Sequence, residues 1–600
     1  MEAWTSSSME ASPSTRARLA ASALTADACV ASLVDHAARS NPNGVALSCG
    51  SSRSTWRELV ASVGRIAAGL RSLPSFAAGA RVALLAHNSA LYVEYVFAIA
   101  AAGGIVTPLN TRASTGELRH VLDDSGAAVL CLEASFGGLL SADMPPPCVR
   151  TLVVLPRNGA PSDALPAATA GRADVRTHGA LVAAGAAAGP LPPRDWGGAS
   201  GAFGIFYTSG TTGGPKGVVL SHAGQLLQAL NKRSAIRLHR ASVYLGVLPL
   251  FHVGGLSIAL AVAMAAGTLV LHPPGGERPW EAAWRAAAAH GATLLVVVPT
   301  VLELMLGGGN DAPPAPLPSV EALLVGGSSL TPPLVARAAA LLPRAQIVQT
   351  YACTEAGSSI TFKPLARPAG AAEEAAAAAA AAADGAAADD AAAAAAAAQL
   401  LGRAQPVGWA VPLARIAILD EALRPLPAGA VGQIATAGPH LMLGYWRQPA
   451  LSAAALADGG WLLTGDLGVV DGASGELRLV GRIKDVIKTG GESVHAAAVE
   501  RAVLAHPRVR EVAVVGVPDG ALGERVVAAV VLEAGAADRG AVWEALPQLM
   551  RDAHLPQYAR PRGLVVRDAL PRNSMGKVVK HRLQRELGVH GDVRVQVGIL

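Results

Sequence analysis

Apolar positions along the chain follow two rhythms. From about residue 28 they recur at helical spacing, with Val30, Leu33, Val34 and Ala37 on one face. Short unbroken apolar runs then alternate with helical stretches. Residues 81–85 precede a helical segment over 91–101, and residues 293–298 and 322–325 are β-branched or leucine-rich runs of strand length. Strand-then-helix alternation predicts parallel sheets covered by helices, an α/β fold. The last portion reads differently. Residues 496–504 are helical, 511–517 and 526–532 are strand-like, a helix starts near Ala541, and Leu564-Val565-Val566 is a further apolar run. That pattern predicts a compact α+β unit of about 120 residues, within the usual domain range. The expected division is an N-terminal extension over 1–27, a large domain over 28–481 and a small one over 482–600.

Two segments break the pattern. Residues 158–200 are rich in Ala, Gly and Pro and are expected to be a surface excursion. Residues 369–399 are nearly all alanine, with scattered acids such as Glu373, Glu374, Asp384, Asp389 and Asp390. Alanine favours helix, yet such a stretch has no large side chain to pack, so it reads as an inserted low-complexity loop without chemical role.

Composition refines this picture. At 600 residues, a prior of roughly 150 per domain allows up to four domains, or one large unit plus a small one. Hydrophobic residues make up 51%, but aromatics only 4% and charged residues only 16%, so alanine supplies much of the apolar share. The 49 Lys+Arg against 44 Asp+Glu give +5, and no basic run is interleaved with aromatics. This is not a nucleic-acid-binding balance. The mean hydropathy of +0.37 raises the question of a membrane span. Between Arg240 and Glu277 there is no Lys, Arg, Asp or Glu, but Pro249, His252 and Gly254-Gly255 cut the run and Pro273-Pro274 closes it. A spanning helix needs about 20 apolar residues with cationic flanks, so the window reads as buried core. Five cysteines without a CxxC pair argue against a disulfide framework or zinc ribbon and fit a reducing compartment. The first 27 residues hold Arg16, Arg18, many Ser and Ala and few acids, which suits a short organelle transit peptide and an unstructured extension equally.

The strongest chemical feature is the run Phe206-Tyr207-Thr208-Ser209-Gly210-Thr211-Thr212-Gly213-Gly214-Pro215-Lys216-Gly217. A strand-like stretch leads into hydroxyls and glycines that end in a lysine. Backbone N–H groups, hydroxyl donors and one cation together suit a polyphosphate. It is not a Walker A loop, because Lys216 follows Pro215 and precedes Gly217.

This loop resembles the phosphate-binding stretch of the adenylate-forming superfamily, which comprises acyl-CoA synthetases, luciferases and peptide-synthetase adenylation domains. The resemblance runs in order from about residue 28 to about 587. It implies that Thr208, Ser209, Gly210, Thr211, Thr212, Gly213 and Lys216 hold ATP. Tyr351-Ala352-Cys353-Thr354-Glu355 resembles the family's Tyr-Gly-x-Thr-Glu, where the aromatic packs on adenine and the Thr and Glu meet the phosphates and Mg²⁺; Ala352 replaces the usual Gly. A carboxylate beside a triphosphate makes chemical sense, because hard oxygen ligands hold Mg²⁺. By the same resemblance Asp466, in Thr464-Gly465-Asp466, takes the ribose hydroxyls, Arg482 contacts the ribose and Lys484 is the hinge pivot. Gly490, Gly491 and Glu492 belong to the loop that approaches CoA, and a glycine there lets pantetheine come close to the backbone. The Tyr-Pro-x-Glu pattern that usually follows is degraded to His495-Ala496-Ala497-Ala498, although Glu500 remains. Leu570-Pro571-Arg572-Asn573-Ser574-Met575-Gly576-Lys577 resembles the terminal lysine motif, so Lys577 is expected to stabilise charge as the carboxylate attacks the α-phosphate. Together Lys577, Thr354, Glu355 and His252 are the expected catalytic residues, with Glu355 the metal ligand.

Three segments bear on the acid. His252 with Ser257, and Gly326, Gly327 and Ser328, are expected at the acyl pocket, followed by the run Ser358-Ser359-Ile360-Thr361-Phe362. With the stretch from Gly438 to Trp446, these most resemble the plant and algal o-succinylbenzoate–CoA ligases of phylloquinone and menaquinone synthesis. That resemblance implies a small-molecule acid, ATP, Mg²⁺ and coenzyme A as the reactants, and a chloroplast location; peroxisome and cytoplasm are the alternatives. The terminal Gly598-Ile599-Leu600 does not read as a peroxisomal tripeptide. This substrate carries two carboxylates, and the one not activated needs a donor; no Arg lies between Arg240 and Arg278. The competing readings are a ligase for medium-chain, aromatic or malonyl-type acids and a non-catalytic or carrier-loading adenylation protein. Oligomeric state has no signal in the sequence.

Overall fold

The computed structural model describes residues 29–140, 144–157, 173–189, 201–208, 214–272, 279–307, 314–327, 330–366, 404–533, 540–572 and 578–589. The extension over 1–27 and the alanine-rich stretch over 369–399 therefore lie outside the described residues. The chain divides into two compact units. One comprises Met1–Ala375, Ala410–Arg415 and Thr436–Leu462; the other comprises Ala376–Trp409, Ile416–Ala435 and Leu463–Leu600.

After a helix over Ser32–Ser40, the first unit forms a hairpin of β1 (Val45–Cys49) and β2 (Ser52–Thr55), then helix α1 (Trp56–Arg71). Next come β3 (Arg81–Leu85), α2 (Ala90–Ala102), β4 (Ile105–Pro108), β5 (Val129–Glu133), β6 (Thr151–Leu155), β7 (Asp174–Thr177) and α3 (His178–Ala188). After them run β8 (Ala202–Thr208), β9 (Lys216–Ser221), α4 (His222–Ala235), β10 (Val243–Gly246), α5 (Val253–Met264), β11 (Thr268–Leu271), β12 (Leu294–Val297) and β13 (Ala322–Gly326). The unit closes with β14 (Gln346–Cys353), β15 (Ser358–Ala366) and the short β16 (Gly444–Tyr445). One sheet runs β16-β9-β8-β4-β3-β5-β6-β7 and the other β15-β14-β13-β12-β10-β11-β1-β2.

Both sheets are parallel through their middles and switch direction toward the strands that carry the motifs; the second also ends in the antiparallel β1–β2 hairpin. In the first, β8 and β9 pair antiparallel; in the second, β14 and β15 do. The glycine- and hydroxyl-rich loop is the β8–β9 connection, and the Thr354-Glu355 turn is the β14–β15 connection. Each candidate motif therefore sits where a parallel sheet turns back on itself. Inner strands such as β5, β6 and β12 are buried along their whole length, the reason they read as continuous apolar runs. Helix α2, Glu94 apart, is apolar all round for the same reason. The uncharged window splits into α5 and β11, both buried. Among the described residues no helix is long and apolar enough to cross a membrane.

One expectation needs correcting. Residues 174–188, inside the supposed surface excursion, form β7 and α3. Strand β7 extends the first sheet in parallel with β6, and α3 packs on α1. Two glycines let the helices approach backbone to backbone. A Cβ on Gly185 would lie 1.9 Å from the Arg65 carbonyl oxygen, and one on Gly69 would lie 2.3 Å from that of Leu181. Gly185 thus marks a close helix contact, while most of the alanines of α3 are exposed; composition alone does not separate the two cases.

In the second unit β17 (Leu477–Arg482) is followed by β18 (Val486–Thr489), β19 (Glu492–His495), α6 (Ala496–Leu504), β20 (Val509–Asp519), β21 (Gly523–Leu532), α7 (Gly540–Asp552), β22 (Gly563–Val566) and α8 (Lys580–Val589). Strands β20 and β21 pair antiparallel along almost their whole length. Their alternate residues serve two cores. Val514, Val526, Ala528 and Val530 pack with Val499, Val503, Val542 and Leu546 of α6 and α7. Ala513, Val515, Val527 and Ala529 pack with Leu583 and Leu587 of α8. A sheet covered on both faces needs apolar residues at successive positions, as Val512 to Val517 and Val526 to Leu532 supply.

Candidate active site

In the first unit Lys216 opens β9 opposite Thr208 at the end of β8. Gly214, at φ 103°, occupies the left-handed region that favours glycine, which turns the loop into the strand. The five residues between, Ser209, Gly210, Thr211, Thr212 and Gly213, lie outside the described residues. Lys216 Nζ stands 6.0 Å from the centroid of the Tyr445 ring. The Tyr445 hydroxyl in turn donates to Glu355 Oε1 at 3.0 Å. Burial, and then the Glu355 carboxylate, hold this phenol well above its usual range, so it stays a donor. Lys216, Tyr445 and Glu355 therefore form one group: a cation, an aromatic face and a carboxylate held by the phenol through Oε1. Tyr445 lies in the Gly438–Trp446 stretch that bears on the acid, but the sequence assigns it no role in the phosphate site. Its partner is 90 positions away, so nothing local marks the bond.

The Thr354-Glu355 turn is fixed from several sides. The Met442 amide donates to the Glu355 carbonyl at 2.8 Å. Gly357, at φ 68°, admits no side chain: a Cβ there would lie 2.6 Å from the His440 carbonyl oxygen. Tyr351 is buried on β14 opposite Thr361 of β15.

His252 is the N-cap residue of α5, with its ring 4.6 Å from that of Phe251. The turn before it is held by Asn88, another residue that sequence reasoning missed. Asn88 Oδ1 accepts the Leu250 amide at 2.9 Å and Nδ2 donates to the Leu248 carbonyl at 2.8 Å. Gly255 lets that turn close, since a Cβ would lie 2.3 Å from the Pro249 carbonyl oxygen. Ser257, buried one turn into α5, has its hydroxyl 3.2 Å from that of Ser358. Gly326 ends β13, where a Cβ would meet Thr350 Cγ2 at 2.8 Å, and Gly327 takes φ 93°. Ser328 lies outside the described residues.

In the second unit Asp466 and Arg482 face each other across two antiparallel strands, with Arg482 Nε 2.9 Å from Asp466 Oδ1. The Asp466 amide donates to Thr464 Oγ1, which itself donates to the Ile434 carbonyl. Lys484 lies in the single turn Ile483–Asp485 that follows Arg482. Gly490 and Gly491, at φ 59° and 84°, make the tight turn between β18 and β19, with Glu492 opening β19. A Cβ on Gly491 would meet nothing within 4 Å, so its face is open. Glu500 is a structural residue. Its Oε1 accepts the Val514 amide at 2.7 Å and pairs with Lys580 Nζ at 2.7 Å. Lys577 lies outside the described residues, but the ends of its loop are joined. Arg572 and Val578 form an isolated bridge, and the Val579 amide donates to the Pro571 carbonyl at 2.7 Å. Among the described residues no cluster of His, Cys, Asp or Glu forms a ready metal site, and all five cysteines are unbridged.

Comparison with known proteins gives the family. Residues 34–446 match the AMP-binding enzyme family and residues 498–577 its C-terminal domain. A feruloyl-CoA synthase of Amycolatopsis is 31% identical over 558 residues, 92% of this chain and 97% of that protein. The 2-succinylbenzoate–CoA ligase, chloroplastic/peroxisomal, of Arabidopsis thaliana is 31% identical over 510 residues, 82% of this chain and 83% of that one. The o-succinylbenzoate CoA synthetase of Bacillus subtilis, solved with the acyl-adenylate OSB-AMP, superposes with a TM-score of 0.70 at 25% identity, covering 92% of this chain and 97% of that one. The chain thus belongs to the AMP-binding enzyme family and is an AMP-forming acid–thiol ligase that uses ATP and coenzyme A.

Proposed function

We propose that the acid is 2-succinylbenzoate, and that the product, 2-succinylbenzoyl-CoA, serves phylloquinone or menaquinone synthesis in a chloroplast. The supporting observation is the contact of Ser257 with Ser358, which joins the two segments that most resemble the o-succinylbenzoate ligases. In this reading the acid's carboxylate oxygen attacks the α-phosphorus of ATP and pyrophosphate leaves. The CoA thiol sulfur then attacks the acyl carbon, AMP leaves and the thiol proton is released. Lys216 and the β8–β9 loop hold the phosphates, and Lys577 stabilises charge at the α-phosphate. Asp466 and Arg482 take the ribose, Lys484 is the pivot, and Gly490, Gly491 and Glu492 admit pantetheine. Glu355 fits Mg²⁺ because Tyr445 holds one of its hard oxygens in place and leaves the second for the ion. The ion would neutralise phosphate charge there.

The feruloyl-CoA synthase relative, equal in identity and longer in coverage, favours another aromatic acid as the second reading. AMP release with ATP, Mg²⁺, CoA and a panel of acids separates the two. The proposal expects 2-succinylbenzoate to exceed ferulate, coumarate, octanoate and malonate in kcat/KM. Parity with any of them sinks it.

A further inference from the structure

The helix over Thr115–Ser125 carries none of the sequence motifs, yet one of its faces meets the strands that do. Residues four apart on a helix share a face. His120 Nε2 stands 3.3 Å from the Pro215 carbonyl oxygen, just before Lys216. The Asp124 carboxylate accepts the Tyr207 hydroxyl at 2.5 Å, just before Thr208. Both described ends of the β8–β9 loop are therefore held by one helix face.

Asp124 makes a second bond through its backbone. Its carbonyl accepts from Trp446 Nε1 at 2.9 Å. Trp446 directly follows Tyr445, and its amide donates to the Gly217 carbonyl at 2.7 Å. Tyr207 and Trp446 in turn close on Gly217, where a Cβ would lie 3.1 Å from Tyr207 Cζ and 3.2 Å from Trp446 Cβ. One residue of the helix thus grips both flanks of Lys216-Gly217. On one side it holds the end of β8, and on the other the segment that carries Tyr445.

The grip is stiff at each point. A hydroxyl that donates to a carboxylate at 2.5 Å makes a charge-assisted bond, stronger than one between neutral groups. Burial, and then this bond, hold the Tyr207 phenol well above its usual range, so it stays the donor. The helix end is anchored as well. Arg81 donates from Nε to the Ser125 carbonyl at 3.0 Å and from Nη2 to the Gly126 carbonyl at 3.2 Å. Carbonyls at a helix C-terminus have no intrahelical partner, and the guanidinium supplies one. The same guanidinium lies over the Trp446 ring, 5.5 Å from its centroid.

We propose that Asp124 is a positioning residue for the triphosphate, acting through Tyr207 and Trp446 to fix where Lys216 stands against Tyr445 and Glu355. This rests on the reading above, in which Lys216 and Glu355 meet the phosphates and Mg²⁺. Protein groups that are fixed before ATP arrives lose less freedom on binding, so loosening them weakens ATP binding. The turn before His252 is held by Asn88 instead, so the acid should feel the change far less.

The test uses the full-length enzyme with ATP, Mg²⁺ and 2-succinylbenzoate, or whichever acid of the panel gives the most AMP. ATP–pyrophosphate exchange reads KM for ATP and for the acid, and supplied acyl-adenylate with CoA reads thioester formation. Asp124→Ala removes the acceptor. Tyr207→Phe removes the donor and keeps the ring, and it serves as the second variant where Asp124→Ala folds poorly. Each should raise KM for ATP about tenfold or more, with KM for the acid and the thioester rate within about threefold of wild type. The double variant should lose little beyond the worse single one, because both changes remove the same bond. Asp124→Asn keeps an acceptor and should recover part of the loss. KM for ATP within about threefold of wild type in both single variants overturns the positioning role. KM rising equally for ATP and acid also overturns it and leaves Asp124 as a support of the fold. Lys216→Met separates this failure from failure of the reading beneath it. That variant should itself raise KM for ATP; if it does not, the triphosphate assignment falls and the role of Asp124 with it.

Discussion

The Tyr445 hydroxyl donates to Glu355 Oε1 across 3.0 Å while its ring faces the Lys216 ammonium at 6.0 Å, so one side chain links the two groups assigned to the triphosphate. Tyr445→Phe keeps the ring and removes the bond. A hydrogen bond to a charged group is worth about 1.5–3 kcal/mol, so acid-dependent ATP–pyrophosphate exchange should fall about ten- to a hundredfold. Thioester formation from supplied acyl-adenylate should change far less. Equal losses in both assays would remove the link from the adenylation step.

Lys577 is assigned by the order of motifs alone. Lys577→Ala should abolish acid-dependent pyrophosphate release and largely preserve thioester formation from a supplied adenylate. Parallel loss of the two half-reactions would show that the lysine has another role.

Asn88 holds the turn that delivers His252, through one accepted and one donated bond. Asn88→Ala loses both. Asn88→Asp keeps the acceptor for the Leu250 amide but sets a carboxylate against the Leu248 carbonyl. Two net hydrogen bonds at about 1 kcal/mol each correspond to roughly tenfold or more. Both variants should raise KM for the acid on that scale and leave KM for ATP within about twofold. A common rise in both constants would indicate general loosening.

Glycines in the first unit differ by what surrounds them. Gly185→Val drives a side chain into the Arg65 carbonyl and should cost about 1–3 kcal/mol or more, lowering Tm by several degrees. Gly64, in the neighbouring α1, has nothing within 4 Å of a built Cβ. Gly64→Ala should raise stability by about 0.5–1 kcal/mol. Thermal unfolding that ranks the pair the other way would contradict the helix contact.

Two buried histidines give the fold an acid limit. Burial pushes His222 and His440 down to about 4, and His222 Nδ1 accepts the Val30 amide at 3.2 Å, which requires the neutral ring. Their folded values lie below the unfolded value near 6.5, so the unfolded chain binds more protons between those limits. The stability linked to them is intact above about pH 6.5 and is lost as pH falls toward about 4. Denaturant unfolding should show wild-type stability dropping across this window, and His222→Gln should flatten part of the drop. A slope unchanged by the substitution would point to other groups.

How much of this was legible in sequence follows from the range of each interaction. The parallel strands announce themselves because residues buried on both faces are apolar at successive positions, as in β5 and β12. The β8–β9 loop is legible because its glycines, hydroxyls and lysine are neighbours along the chain. Tyr445, Asn88 and Gln228 act on backbone or side chains 90, 160 and 131 positions away, and no local pattern marks these bonds, even for Tyr445, whose own stretch stands out. The error over 174–188 has the opposite cause. There the local pattern was plain, but Ala and Gly content is the same whether helices touch closely or nothing packs at all.

The two acids assigned to the nucleotide keep different company. Asp466 faces a guanidinium at 2.9 Å, so its charge is largely cancelled before any ligand arrives, while Glu355 meets the neutral hydroxyl of Tyr445. A pair that is already neutral gains little from a cation and can still exchange hydrogen bonds, which suits an uncharged diol. A carboxylate with its charge intact suits a divalent ion. On the roles proposed above, the choice of neighbour, guanidinium or phenol, would sort sugar from metal without changing the acid itself.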